Sequence, residues 1–125
     1  MSNHRDLDVL DAADQVADEI NRLIDQSSRR LIHATQLREA AQSIGANISE
    51  GFGRGQGRER DRSLRIARGE TEEAIRHLRP NFETNRIPAA TFWRLRNRLV
   101  TISKMLTSLL NHRPKSDDRS RTSDD

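Results

Sequence analysis

The sequence predicts an all-α protein, an up-down-up-down four-helix bundle. Two observations carry this. Apolar residues recur every three or four positions along four separate stretches, and nothing alternates with period two over a useful length. Tyrosine is absent and aromatics make up only 3% of the chain, against a sandwich or barrel whose strands favour aromatic and β-branched residues.

Each helix follows from its own stripe. In the first, Val9, Ala13, Val16, Ile20 and Leu23 repeat as the a and d positions of a bundle helix. Asp6, Asp8 and Asp11 favour its N-terminus through the helix dipole, and it should end near Gln26–Ser28. The second carries Leu37, Ala41, Ile44 and Ile48, extended by Ala34 and Phe52. The third carries Leu64, Ala67, Thr71, Ala74 and Leu78. Pro80 and the mostly polar run 81–86 mark its end or a kink near it. The fourth carries Phe92, Leu95, Leu99, Ile102, Leu106 and Leu109, with Pro88 suited to its first turn. Residues 1–112 are therefore expected to form the bundle. Residues 113–125, without a large apolar side chain, are expected to be a disordered polar tail.

At 125 residues the chain is one domain with room for a modest core. There is no cysteine, which removes disulfides, thiol catalysis and Cys-type zinc sites. No apolar run approaches the roughly 18 residues a membrane helix needs, and the acidic start has no apolar signal core, so a cytoplasmic protein is expected. Charge is segregated. Residues 1–25 hold seven acidic and two basic residues, and residues 26–112 hold sixteen basic and eight acidic. Of the 22 basic residues only Lys104 and Lys115 are lysine. Arginine's planar fork suits phosphate and carboxylate alike, although an arginine-rich codon bias would give the same composition.

Residues 43–69 concentrate this chemistry, with glycines at 51, 53, 55 and 57 and six arginines between Arg54 and Arg68. A phosphate-binding P-loop is excluded, since no lysine lies near the glycines and the preceding segment is helical; the dinucleotide pattern fails at Gln56. The plain reading is a helix–helix elbow in which glycine ends one helix cheaply. On the third helix, at 100° per residue, Arg58, Arg62, Arg65 and Arg76 gather opposite the apolar stripe with Arg79 flanking. That basic face, approached by Arg54, is either a solvated surface of i,i+4 pairs or a contact for a phosphate backbone. No aromatic interleaves these arginines in the sequence, so base stacking is not indicated. Gly69 lies on the same side. Its cost of roughly 1 kcal/mol in a helix interior is expected to be offset by close approach of another subunit.

The string Ser43-Ile44, Ala46-Asn47-Ile48, Glu50-Gly51-Phe52-Gly53-Arg54, followed by Glu59, Leu64-Arg65-Ile66-Ala67-Arg68-Gly69 and Glu73, resembles a bacterial four-helix-bundle family; so does Thr35–Ala41 upstream. That family includes proteins encoded in intervening sequences of 23S rRNA genes and the accessory variability protein of diversity-generating retroelements. The resemblance spans about residues 7–110. It implies assembly into a homo-oligomeric ring, a homopentamer. For the retroelement branch it also implies a basic surface that binds RNA or DNA and a reverse transcriptase. It brings no catalytic residues. The chain departs from the family in having Gly45 where proline is usual, and Arg60, Asp61 and Ser63 where apolar residues are usual. The departures should kink the second helix differently and add charge at the start of the third.

Asn47, Glu50, Arg68 and Glu73 are expected, with Gly69, to form a structural or interface network rather than a reactive centre. Phe52 is read as a plug at the elbow. His4, His33, His77 and His112 are scattered without ligand spacing, and Glu73 and His77 share a helix face but lack further ligands. No metal, cofactor or catalytic constellation is expected. The residues thus point to a non-enzymatic protein that binds nucleic acid through Arg54, Arg58, Arg62, Arg65, Arg76 and Arg79. The competing reading is an oligomeric scaffold whose basic face meets acidic protein, such as residues 1–25 of a neighbouring subunit.

Overall fold

A computed structural model of the protein describes residues 4–111. The predicted tail lies outside the described residues. Four helices follow in order: α1 (His4–Gln26), α2 (Ala34–Gly53), α3 (Arg58–Glu83) and α4 (Ala89–Asn111). No strand occurs among the described residues. Each helix packs on its neighbour in sequence, and α4 closes back onto α1. The connections are short, and contacts such as Arg38 with Asp25 and Phe92 with Phe82 join the end of one helix to the start of the next. This is the antiparallel bundle the four stripes predict.

The stripes meet along the axis. Val9, Ala13, Val16 and Ile20 face Leu37, Ala41, Ile44 and Ile48 of α2, Leu64, Ala67, Ala74 and Leu78 of α3, and Phe92, Leu95, Leu99, Ile102 and Leu106 of α4, all buried. Each buried Leu or Ile contributes about 1.5–3 kcal/mol, which outweighs the modest propensity deficit of so many β-branched and polar residues. Leu31 and Ile87, from the two connections at one end, plug that end.

Three features add to the sequence expectation. First, α3 passes Pro80 and ends at Glu83, inside the polar run 81–86. Asn81 holds this end together. Its side chain accepts from the Ile32 N–H at 2.7 Å and donates to the Ile32 and His77 carbonyls at 3.0 and 3.1 Å. Its own carbonyl accepts from the N–H groups of Arg86 and Ile87. This fully buried and saturated amide binds the α1–α2 connection to the α3–α4 turn. Second, α2 runs unbroken through the buried Gly45, where a Cβ would come within 2.8 Å of Asp14 Oδ1 on α1. Third, Arg60, Asp61 and Ser63 are buried, so the charge expected at the start of α3 lies inside. Asp61, 1% exposed, faces the Arg60 guanidinium at 3.5 Å, and Arg60 lies 6.0 Å from the Phe52 ring. Phe52 itself is partly buried against the core, in keeping with a plug.

The elbow glycines divide by role. Gly55 and Gly57 take positive φ, 79° and 112°, and turn the chain between α2 and α3. Gly51 is still helical and buried, and is present for packing. A Cβ there would stand 3.2 Å from the Arg60 carbonyl oxygen, 3.2 Å from Leu64 and 3.3 Å from Ser63. Nothing lies within 4 Å of a Cβ on Gly53.

Two outcomes are expected in urea unfolding. Asn81→Ala leaves the part-buried Ile32 peptide groups without their partner and should destabilise the fold by about 1–3 kcal/mol. Gly51→Leu should destabilise by about 1–3 kcal/mol through overpacking, whereas Gly53→Ala should stabilise by up to about 1 kcal/mol.

Candidate nucleic-acid interface

Burial of the α3 stripe turns the other side of that helix to solvent. Arg58, Arg62, Arg65, Arg76 and Arg79 are all exposed, as the helical spacing predicts. The structure sorts them by partner. Arg58, Arg62 and Arg65 make no ion pair or side-chain hydrogen bond among the described residues. Arg79 lies 5.4 Å from the Phe92 ring. Arg76 is paired with Glu73 at 2.7 Å. Arg54 bridges the elbow, donating to Glu50 and Glu59 at 3.0 Å each. Those bonds, Glu50's first and then Glu59's, hold its guanidinium above its ordinary pKa. Of the six arginines singled out, three are therefore unengaged, one rests on an aromatic and two are tied to carboxylates. Exposed pairs of this kind are worth about 1 kcal/mol or less, so a polyanion could displace them.

Asn47, Glu50, Arg68 and Glu73 do not form one network. Asn47 donates back to the Ser43 carbonyl and hydroxyl at 2.9 Å, Glu50 holds Arg54, and Glu73 meets Arg76 and, at 3.5 Å, His77. Only Arg68 joins two helices, donating to Thr107 of α4 at 3.1 Å. Asn47, Glu50 and Glu73 bond within about one turn of themselves, and Arg68 alone reaches across to another helix. Asn47, Glu50, Arg54, Glu59, Arg62, Ser63 and Ile66 line a shallow depression of about 150 Å³ between α2 and α3.

Gly69 is exposed in the middle of the basic face, and nothing lies within 4 Å of a Cβ built there. No element of its own chain requires the glycine. Beside it, Ile66 is 44% exposed.

Two groupings were not visible along the chain. His33 and His77, 44 residues apart, meet with their Nδ1 atoms 3.2 Å apart, one donating and the other accepting. No group of three His, Asp or Glu side chains among the described residues is arranged to hold a metal ion. The second grouping is aromatic. Phe82 stacks on Phe92 at 4.6 Å, Trp93 meets Phe92 at 5.1 Å, and Arg96 lies 5.7 Å from the Trp93 ring. Arginines and aromatics therefore do interleave, across the α3–α4 turn. Phe82 and Phe92–Trp93, placed on either side of a short connection between antiparallel helices, were the available signal.

The family model for the 23S rRNA-intervening sequence protein matches residues 5–108. The chain belongs to this family. A crystal structure of a protein of unknown function from the S23 ribosomal protein family of Bacteroides thetaiotaomicron VPI-5482 is similar, with a TM-score of 0.78 and 25% identity over 86% of this chain and 99% of that one. No curated protein matches the chain. Within the 23S rRNA-intervening sequence family frame the bundle is as expected, and no helix among the described residues is long and apolar enough to cross a membrane.

Gly69→Ala separates two origins of the glycine. In a free monomer it should raise stability by about 1 kcal/mol with unchanged mass in light scattering. A drop in stability together with a smaller particle would place another copy of the chain against it.

Proposed function

We propose that this member of the 23S rRNA-intervening sequence family is a non-enzymatic, homo-oligomeric accessory protein that binds the RNA or DNA backbone through the outward face of α3. The observation that carries the reading is the row Arg58, Arg62 and Arg65. These guanidiniums are exposed on one helix face with no carboxylate of the described residues engaging them. Arginine without an internal partner keeps its fork available for phosphate. The mechanism is counterion release with little sequence readout. A homopentameric ring and a role beside a reverse transcriptase rest on the resemblance alone.

One observation favours a second reading, the protein-interaction scaffold. Asp8 and Asp18 of α1 are exposed and make no ion pair or hydrogen bond among the described residues, and Asp11 and Asp14 on the same helix are exposed too. A neighbouring copy could set these acids against the arginines of α3.

Filter binding of a mixed-sequence RNA at rising salt tests the first reading. Affinity should fall steeply with salt. Replacing Arg58, Arg62 and Arg65 together by Ala should reduce the log–log slope by about three, roughly one unit per lost phosphate contact. Arg76→Ala should reduce it by less than one unit, because Glu73 competes for that guanidinium. A salt-insensitive affinity, or an unaltered slope in the triple variant, would overturn the reading. Protein purified at low salt free of 260 nm absorbance would favour the scaffold.

A further inference from the structure

The described residues leave two large apolar side chains substantially exposed, Ile66 and Trp93, at 44% and 45%. A lone exposed apolar side chain is ordinary and needs no explanation. Trp93 is not alone. Arg79, Phe92, Trp93 and Arg96 form a continuous series of contacts, with guanidinium-to-ring distances of 5.4 Å at Phe92 and 5.7 Å at Trp93 and 5.1 Å between the two rings. Phe92 and Phe82 meet the indole at steep angles, 75° and 69°, and no ring of the described residues lies parallel on it. The stacked Phe82–Phe92 pair, with Phe92 fully buried, anchors the indole from below. The result is a half-exposed π-surface at the C-terminal end of the basic helix, with Arg96 against the indole and Arg79 against the adjoining Phe92.

We propose that Trp93, flanked by Arg79 and Arg96, is a stacking platform for an unpaired base of a single-stranded nucleic acid whose backbone runs along α3. The proposal rests on the backbone-binding reading above and adds base contact to it. The chemistry is that of aromatic platforms within positively charged grooves. The ring accepts any base face, and the guanidiniums take the adjoining phosphates. Charge complementarity selects this occupant, since an apolar peptide would strand Arg79 and Arg96. The geometry also sets a length. Arg58 and Arg79 are 21 positions apart on one helix, about 31 Å at 1.5 Å per residue. A strand at stacked spacing of roughly 3.4 Å needs about nine nucleotides to reach both.

Trp93 is the single tryptophan of the chain, so intrinsic emission reports this site alone. The test titrates the full chain with a single-stranded 12-mer oligonucleotide and, in parallel, with an abasic 12-mer of the same backbone. Binding is measured separately by anisotropy of a labelled strand. The expected result is quenching by the base-bearing strand and little by the abasic one. Trp93→Ala should weaken the base-bearing strand by about 5- to 100-fold at an unchanged salt slope, with recovery in Trp93→Phe. Equal binding by Trp93→Ala, or equal quenching by both strands, overturns the platform while leaving the backbone reading intact. If the Arg58, Arg62, Arg65 triple variant also binds unchanged, both fall. A concentration-dependent blue shift of emission without any strand would assign Trp93 to a contact between copies and overturn the platform. Trp93 is half-exposed, and far-UV circular dichroism checks that each variant retains its helices.

Discussion

Everything in this molecule depends on how little apolar material it has to bury. One third of the residues are hydrophobic, and each helix carries them as a single seam. A helix with one seam can be covered on one side only, and four such helices must place their seams together. Taking a guanidinium out of water costs several kcal/mol unless it is paired, against about 1.5–3 kcal/mol gained per buried leucine. Arg58, Arg62, Arg65, Arg76 and Arg79 of α3 therefore face outward, and Arg60 is buried only beside Asp61. Outward arginines alone say nothing about function. What separates Arg58, Arg62 and Arg65 from Arg54 and Arg76 is the presence or absence of a carboxylate within reach, which packing alone does not dictate.

The exceptions to the seam lie where helices begin, end or touch most closely. Asn81 is buried because two connections need their peptide groups satisfied at one place, and an amide offers both donor and acceptor. At the opposite end Arg60 and Asp61 are buried as a pair beneath the elbow, with Phe52 against the guanidinium. Gly51 lets the α3 backbone approach there. With any side chain at 51 the first turn of α3 would have to move outward, and Arg60 and Asp61 would lose part of their cover. Stability in a core this narrow is thus concentrated at the two ends as well as along the middle.

The stripes, the elbow and the basic face were legible because each is a local pattern with a period. Val9 to Ile20 or Phe92 to Leu109 can be placed by counting. Features made by juxtaposition could not be counted out. Pro80 and the polar run after it mark the region where α3 ends, and only the environment of Asn81 shows what holds that end in place. Gly51 reads as a turn glycine until Leu64 and the Arg60 carbonyl are set beside it. Arg60 and Asp61 read only as added charge at the start of α3, because nothing in the local spacing reveals their burial. The matched motif behaved in the same way. Its polar members suggested one network, and the structure resolves them into local bonds such as Asn47 to Ser43. Arg79 and Trp93 lie 14 positions apart with a turn between them, so their relation exists only once the hairpin closes.

The two uses suggested for the α3 surface bear differently on its two halves. Gly69 sits one turn from Arg65 and two turns from Arg62, on the same side of the helix. A second copy docked on Gly69 would cover both arginines and strip their water. That is tolerable only if carboxylates arrive with it, and the exposed aspartates of α1 are of the right sign. In such an assembly the N-terminal half of the face would be neutralised from within. Arg79 lies ten positions beyond Gly69, about 15 Å along the axis, and its neighbours are rings rather than acids. Self-association at Gly69 therefore competes with a polyanion for Arg62 and Arg65 but not for the Arg79–Trp93–Arg96 end. A contact confined to the neighbourhood of Gly69 would leave the aromatic end as the part of the basic face open to a strand.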